Sequence, residues 1–134
     1  MATLADVRRI ALELPEVGER PEGFTGQASW RTKKGMVVWS RGSRQSDLTQ
    51  LERLGRTWPE GDVVAVRVTG DDAKQDLLAM HPVALFTIPH FDGYPAVLVR
   101  LDLVDEALLR SLIIDGWTTR VSRRVAKAWL EGPA

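Results

Sequence analysis

Six consecutive residues, His90-Phe91-Asp92-Gly93-Tyr94-Pro95, bring an imidazole, a carboxylate and a phenol into one short stretch. These are groups that bind metals and move protons. His90 is one of only two histidines in the chain, and Tyr94 is its only tyrosine. On an extended segment His90 and Asp92, two apart, project to the same side, as a ligand pair or a proton-transfer pair requires. Two ligands do not make a site, however, and His81 is the only other histidine. The competing reading is conformational. Asp-Gly between the apolar runs 84–88 and 96–101 is a strong hairpin signal, because glycine supplies the positive φ of a tight reversal. In that reading Tyr94 packs its ring and keeps its hydroxyl in water.

A second candidate is cationic. Between Gly23 and Ser46 stand Arg31, Lys33, Lys34, Arg41 and Arg44 with no acid, and between Gly116 and Leu130 stand Arg120, Arg123, Arg124 and Lys127, again with none. Strand alternation sets Arg31 and Lys33 opposite Trp30. It also sets Arg67 out of phase with Val64, Val66 and Val68, and Arg100 out of phase with Val97, Val99 and Leu101. Those four strand cations then share the open face of a sheet, and the basic side of the last helix extends it. Such arrays bind phosphates, with affinity coming from counterion release. Lysine and arginine on open sheet faces also simply keep a protein soluble and protect its edges. Net charge is zero, 18 basic against 18 acidic residues, so there is no strong overall attraction toward nucleic acid. The acids gather at 13–22 and 71–76, which makes the surface bipolar.

At 134 residues the chain is one domain by length. With 44% apolar residues, it can bury roughly two-thirds of its unfolded surface. The absence of cysteine excludes disulfides, thiolate metal sites and a thiol nucleophile. No apolar run approaches the ~20 residues of a membrane span, and Met1 is not followed by a basic-then-apolar leader, so a cytoplasmic location is expected. No Gly-rich phosphate loop or nucleophile elbow is present. Trp30 and Trp39 in the first hairpin, Trp117 between the last two helices and Trp129 on the apolar side of the final one read as core. Trp58, beside Pro59, is the one expected to be exposed, where it can stack on a ring.

The elements that must position these groups follow from periodicity. Thr3 and Asp6 open a helix whose apolar face is Leu4, Val7, Ile10, Ala11 and Leu14, ended by Pro15. Residues 15–26 read as loop. Residues 28–33 and 36–40 form a hairpin about Lys34-Gly35. Leu48, Leu51 and Leu54 allow a short helix after Asp47, within a stretch, 41–62, that is otherwise hard to read. Residues 63–68 are a strand. A helix capped by Asp71 or Asp72 carries Ala73, Leu77, Leu78 and Met80 and stops at His81-Pro82. The second hairpin follows, then helices over 104–115 and 122–130, the last with Val121, Val125, Ala128 and Trp129 along its apolar side. Hairpins rather than crossover units predict a single α+β domain: an antiparallel sheet of about five strands with helices packed on one face.

Over nearly its whole length the chain resembles the MmcQ/YjbR family of small bacterial proteins. The likeness rests on Leu12-x-Leu14-Pro15-Glu16-Val17, Trp30-Arg31, Lys34-Gly35, His81-Pro82, Gly116-Trp117 and, most specifically, Pro89-His90-Phe91-Asp92-Gly93-Tyr94-Pro95-Ala96-Val97-Leu98-Val99-Arg100-Leu101. The resemblance implies a CyaY-like, double-wing α+β fold and a DNA-binding label that comes largely from structural analogy. The leading expectation is a monomeric, non-enzymatic DNA-binding domain without cofactor or metal. Arg31, Lys33, Lys34, Arg67, Arg100, Arg120, Arg123, Arg124 and Lys127 would contact phosphates, and His90 and Tyr94 would sit at the wing tip. The alternatives are a small-ligand or protein-binding module using the same face, and an enzyme using His90 and Asp92.

Overall fold

A computed structural model of the chain describes residues 1–20 and 27–132. Among the described residues the order is α1 (Leu4–Glu13), β1 (Gly18–Arg20), β2 (Ser29–Thr32), β3 (Gly35–Ser40), α2 (Gln45–Arg53), β4 (Val63–Arg67), α3 (Asp71–Met80), β5 (Leu85–Phe86), β6 (Ala96–Arg100), α4 (Glu106–Thr118) and α5 (Arg123–Glu131). The strands form one antiparallel sheet in the order β1-β2-β3-β4-β6-β5. The α+β class and the antiparallel sheet are as expected, with one strand more than the expected five. The extra strand is the exposed three-residue β1, which has no apolar alternation to reveal it. The expected loop over 15–26 lies partly outside the described residues.

Local chemistry sets the element ends. Thr3 accepts from the Asp6 amide and Asp6 accepts from the Thr3 amide, a complete capping box. Asp105 and Ser122 cap α4 and α5 through their side chains. The cap of α3 is Gly70 rather than an aspartate. Asp71 and Asp72 occupy the first turn instead, where their charge opposes the positive end of the helix dipole.

One sheet face carries the main core. Trp30, Val38, Val64, Val66, Val97 and Val99 meet Val7, Ile10 and Ala11 of α1 and Leu109, Ile113 and Trp117 of α4. Gly116 lets α4 lie against β4, since a Cβ there would stand 2.6 Å from the carbonyl oxygen of Arg67. In α5, Ala126 is the buried residue. Val125 and Trp129, expected to be buried, are half-buried, with Trp129 edge-on to Trp117 at 5.3 Å.

The opposite face is not the bare surface that helices on one face would leave. Trp39, Val63, Ala65, Ala96 and Leu98 form a second apolar cluster, covered by Leu51 of α2 and by Ile88 and Phe91 of the β5–β6 connection. Trp58, expected to be exposed, packs into this cluster edge-on to Phe86 at 5.6 Å. Beneath α2 lies a buried ion pair: Nη1 of Arg41 donates to Oδ2 of Asp47 at 2.9 Å, and both side chains are almost fully buried. Burial pushes the Asp47 carboxyl up. The Arg41 hydrogen bond and the Arg44 amide more than offset this and hold it below the ordinary aspartate value.

β5 and β6 pair antiparallel through Leu85↔Val99 and Phe86↔Leu98. The connection is longer than a tight hairpin, because Pro89 opens a 3-10 turn over Pro89–Phe91. Gly93 follows with φ +74°. Nothing lies within 4 Å of a Cβ built there, so the backbone alone resists substitution. Gly93→Ala should lower stability by about 1 kcal/mol in urea unfolding, the cost of a side chain at positive φ. Asp47→Ala should cost far more, ~3–5 kcal/mol, because it strands the buried Arg41 charge. The double variant Arg41→Met/Asp47→Leu should recover most of that loss in the same assay.

Candidate nucleic-acid interface

Three of the expected site cations converge. Arg31 of β2 and Arg67 of β4 fall on the second sheet face by alternation, and Arg120 reaches them from the α4–α5 turn. The carbonyl oxygen of Arg120 accepts from Thr32 Oγ1 at 2.5 Å, which ties that turn to β2. Its guanidinium donates to the backbone oxygens of Met36, at 3.2 Å, and Lys34, at 3.4 Å. Burial and the neighbouring charge of Arg67 push the Arg120 pKa below its usual value. Tyr94 acts the other way and Arg31 adds to the lowering. A guanidinium stays charged under such pressure, so Arg120 is repelled by both neighbouring cations. Among the described residues none of the three pairs with a carboxylate. On α1 and α4, by contrast, Arg8, Arg9 and Arg110 are all paired, with Glu19, with Asp6 and Glu106, and with Glu13.

Tyr94 is the joint between this cluster and its surroundings. The Arg67 guanidinium carbon lies 5.8 Å from the centre of its ring. On its other sides Phe91 and Trp39 meet it edge-on, at 5.4 and 6.4 Å. The tyrosine is 36% exposed, packed by its ring as expected. Beyond it opens a pocket of about 210 Å³. Met36, Trp39, Phe91 and Tyr94 supply its apolar and aromatic walls, while Arg41, Arg44 and His90 supply its polar groups. Arg41 is anchored by Asp47 and the carbonyl oxygen of Gly42, and its guanidinium carbon is 5.6 Å from the Phe91 ring centre. Its Nη2 is buried without a hydrogen-bond partner.

A lysine holds the segment that carries His90 and Tyr94. Lys74, only 3% exposed, sends its ammonium from α3 to the carbonyl oxygens of Phe91, at 2.7 Å, and Tyr94, at 2.9 Å. Burial pushes its pKa below the usual lysine value, against the opposing pull of Asp71 and Asp92. Met80, expected on the apolar side of α3, is instead 68% exposed.

The remaining expected residues divide. Lys33 and Lys34 are exposed at the β2–β3 turn, beside Arg120, and Arg123 and Arg124 are exposed in the first turn of α5. Lys127, also on α5, is exposed with Glu131 at 3.9 Å. Arg100 does not join them. The register pairs Arg100 with Val63 and Arg67 with Ala96, so the two arginines stand at opposite ends of the β4–β6 pair. Arg100 lines a separate depression with Arg56 and Phe86. His90 lines the pocket and Asp92 does not. The 3-10 turn removes the extended geometry that would have set those two on one side. Sequence reasoning placed none of Met36, Trp39, Arg41, Arg44 and Lys74 in the site. The signal for the two arginines was already visible, since both lie in the acid-free stretch ending at Ser46.

No protein-family model matches the chain. The fold resembles the crystal structure of Deinococcus radiodurans protein DR2400, which carries a DUF419 domain. The TM-score is 0.66 over 95% of this chain and 87% of that one, at 19% identity, a likeness of fold. Among the described residues no helix is long and apolar enough to cross a membrane. The uncharacterized proteins Rv2570 of Mycobacterium tuberculosis and Mb2600 of Mycobacterium bovis are each 40% identical to this chain over 130 residues, 97% of both partners. With that identity sustained from end to end, the chain belongs to the same protein family as these two mycobacterial proteins.

Proposed function

We propose that this protein is a non-enzymatic, cytoplasmic nucleic-acid-binding domain that contacts phosphates through Arg31, Arg67 and Arg120, and that its family is MmcQ/YjbR-like. The observation that carries the reading is the approach of Arg67 and Arg31 to Arg120, with none of the three paired to a carboxylate among the described residues. Elsewhere in the same molecule the arginines of α1 and α4 are neutralised in pairs. A group of neighbouring cations with no paired carboxylate among the described residues is suited to an external anion. Lys33, Lys34, Arg123 and Arg124 flank the cluster on the two segments that Arg120 joins, so the cationic surface runs beyond one ion. An extended polyanion suits that spread better than a single small ligand.

Zero net charge limits the long-range attraction, so binding is of modest affinity and decays steeply with salt. Phosphate contacts without a recognition element give little sequence readout. A second reading, a site for one small anion, is favoured by the pocket beside Tyr94, and the salt dependence separates the two. Fluorescence anisotropy with labelled single-stranded and duplex DNA over a salt series should show binding at low salt with a slope of several counterions. Arg123→Ala/Arg124→Ala should weaken binding to all sequences alike and flatten the slope by up to ~2, about one for each phosphate no longer neutralised. No binding at low salt would refute the assignment, and an unchanged slope in the double variant would remove α5 from the surface.

A further inference from the structure

We infer that the pocket beside Tyr94 receives one unstacked nucleobase, so that the protein prefers single-stranded nucleic acid to duplex. The inference rests on the phosphate-binding reading above and adds to it what the polymer presents besides phosphate. Three observations converge on it.

The first is position. Tyr94 has the Arg67 guanidinium over its ring and forms a wall of the pocket, so cation cluster and pocket share one residue. The backbone of Met36 accepts from Arg120, and its side chain lines the same pocket. A strand whose phosphate sits on the cluster therefore has its next base at the pocket mouth. The second is shape and chemistry. At about 210 Å³ the space is below the ~300–1,000 Å³ of sites for drug-sized ligands, and Tyr94, the exposed one of its three aromatic residues, offers a ring on which any base can stack, backed by the buried Trp39 and Phe91. The third is charge. Arg41 and Arg44 both belong to the lining of the pocket. A guanidinium has no acceptor, so Arg41 and Arg44 match a base edge rich in carbonyl oxygens, as in thymine.

A duplex keeps its bases stacked and paired inside the helix, where this pocket cannot reach one without the cost of unstacking it. The test compares three labelled probes of equal length by anisotropy at one low salt concentration: oligothymidylate, its abasic analogue with the same phosphates, and a duplex. The wild-type protein should bind oligothymidylate roughly 10-fold or more tightly than the abasic strand, the order of one stacked base. Tyr94→Ala should bring oligothymidylate down to the level of the abasic strand measured on the same variant, and Tyr94→Phe should keep the preference. Circular dichroism of both variants guards against loss of fold. Equal wild-type affinity for the base-bearing and abasic strands would overturn the pocket assignment and leave phosphate binding standing. Binding to none of the three probes would overturn both. A preference for duplex would overturn the inference alone.

Discussion

Two central strands that are apolar on both faces constrain everything else in this protein. β4 reads Val-Val-Ala-Val and β6 reads Ala-Val-Leu-Val, and every one of those eight residues is buried. Helices on one side alone would leave Val63, Ala65, Ala96 and Leu98 in water, at roughly 25 cal/mol per Å² of apolar surface. Among the described residues α2, the β5–β6 connection and Trp58 cover that second face. Short, partly polar segments make poor covers unless something fastens them. Here the fastening is done by two buried cations: Arg41, paired with Asp47 under α2, and Lys74, bonded to the backbone of the connection.

These fastenings shape the surface. Because Lys74 accounts for the carbonyl oxygens of Phe91 and Tyr94, the connection bends over the sheet and its aromatic rings turn inward, toward Trp39. Arg41, held by one carboxylate oxygen and one backbone oxygen, belongs to the lining of the same space. Covering the second face thus creates a small aromatic pocket with donors at its rim. A buried ion pair is weak evidence for stability, since apolar replacements often serve as well. Its plainer consequence here is positional, because it fixes where α2 lies.

The arginine cluster has a different origin. Arg31 and Arg67 are where alternation puts them, on the second face beside the apolar cluster. Arg120 arrives from a remote part of the chain, drawn in by backbone contacts with the β2–β3 hairpin. Those contacts bring like charges together against Coulomb repulsion, partly relieved by the face of the Tyr94 ring, which attracts cations. Surface ion pairs on α1 and α4 contribute little individually in high dielectric. They do leave the carboxylates of that region occupied by other arginines.

Local pattern alone determined the helix starts at Thr3, Asp105 and Ser122, the first hairpin, the strand at 63–67 and the glycine turn at Gly93. Each depends on neighbours within about one turn of chain, through capping, alternation or backbone freedom. It also set the acid-free basic stretches. What it could not supply was anything depending on contacts between distant residues. β1 exists because β2 needs a partner at its edge, although its own three residues carry no pattern. Asp47 reads as a helix start and is in fact a buried counter-ion, because Arg41 faces it. Lys74 carries no signal in the sequence and is buried, because the fold brings its ammonium onto the carbonyl oxygens of Phe91 and Tyr94. Arg100 obeys alternation as well as Arg67 does, yet register puts it at the far end of the strand pair. Whether a cation serves a core, a surface or a site depends on which partners the fold brings within a few ångströms, and only the tertiary structure decides that.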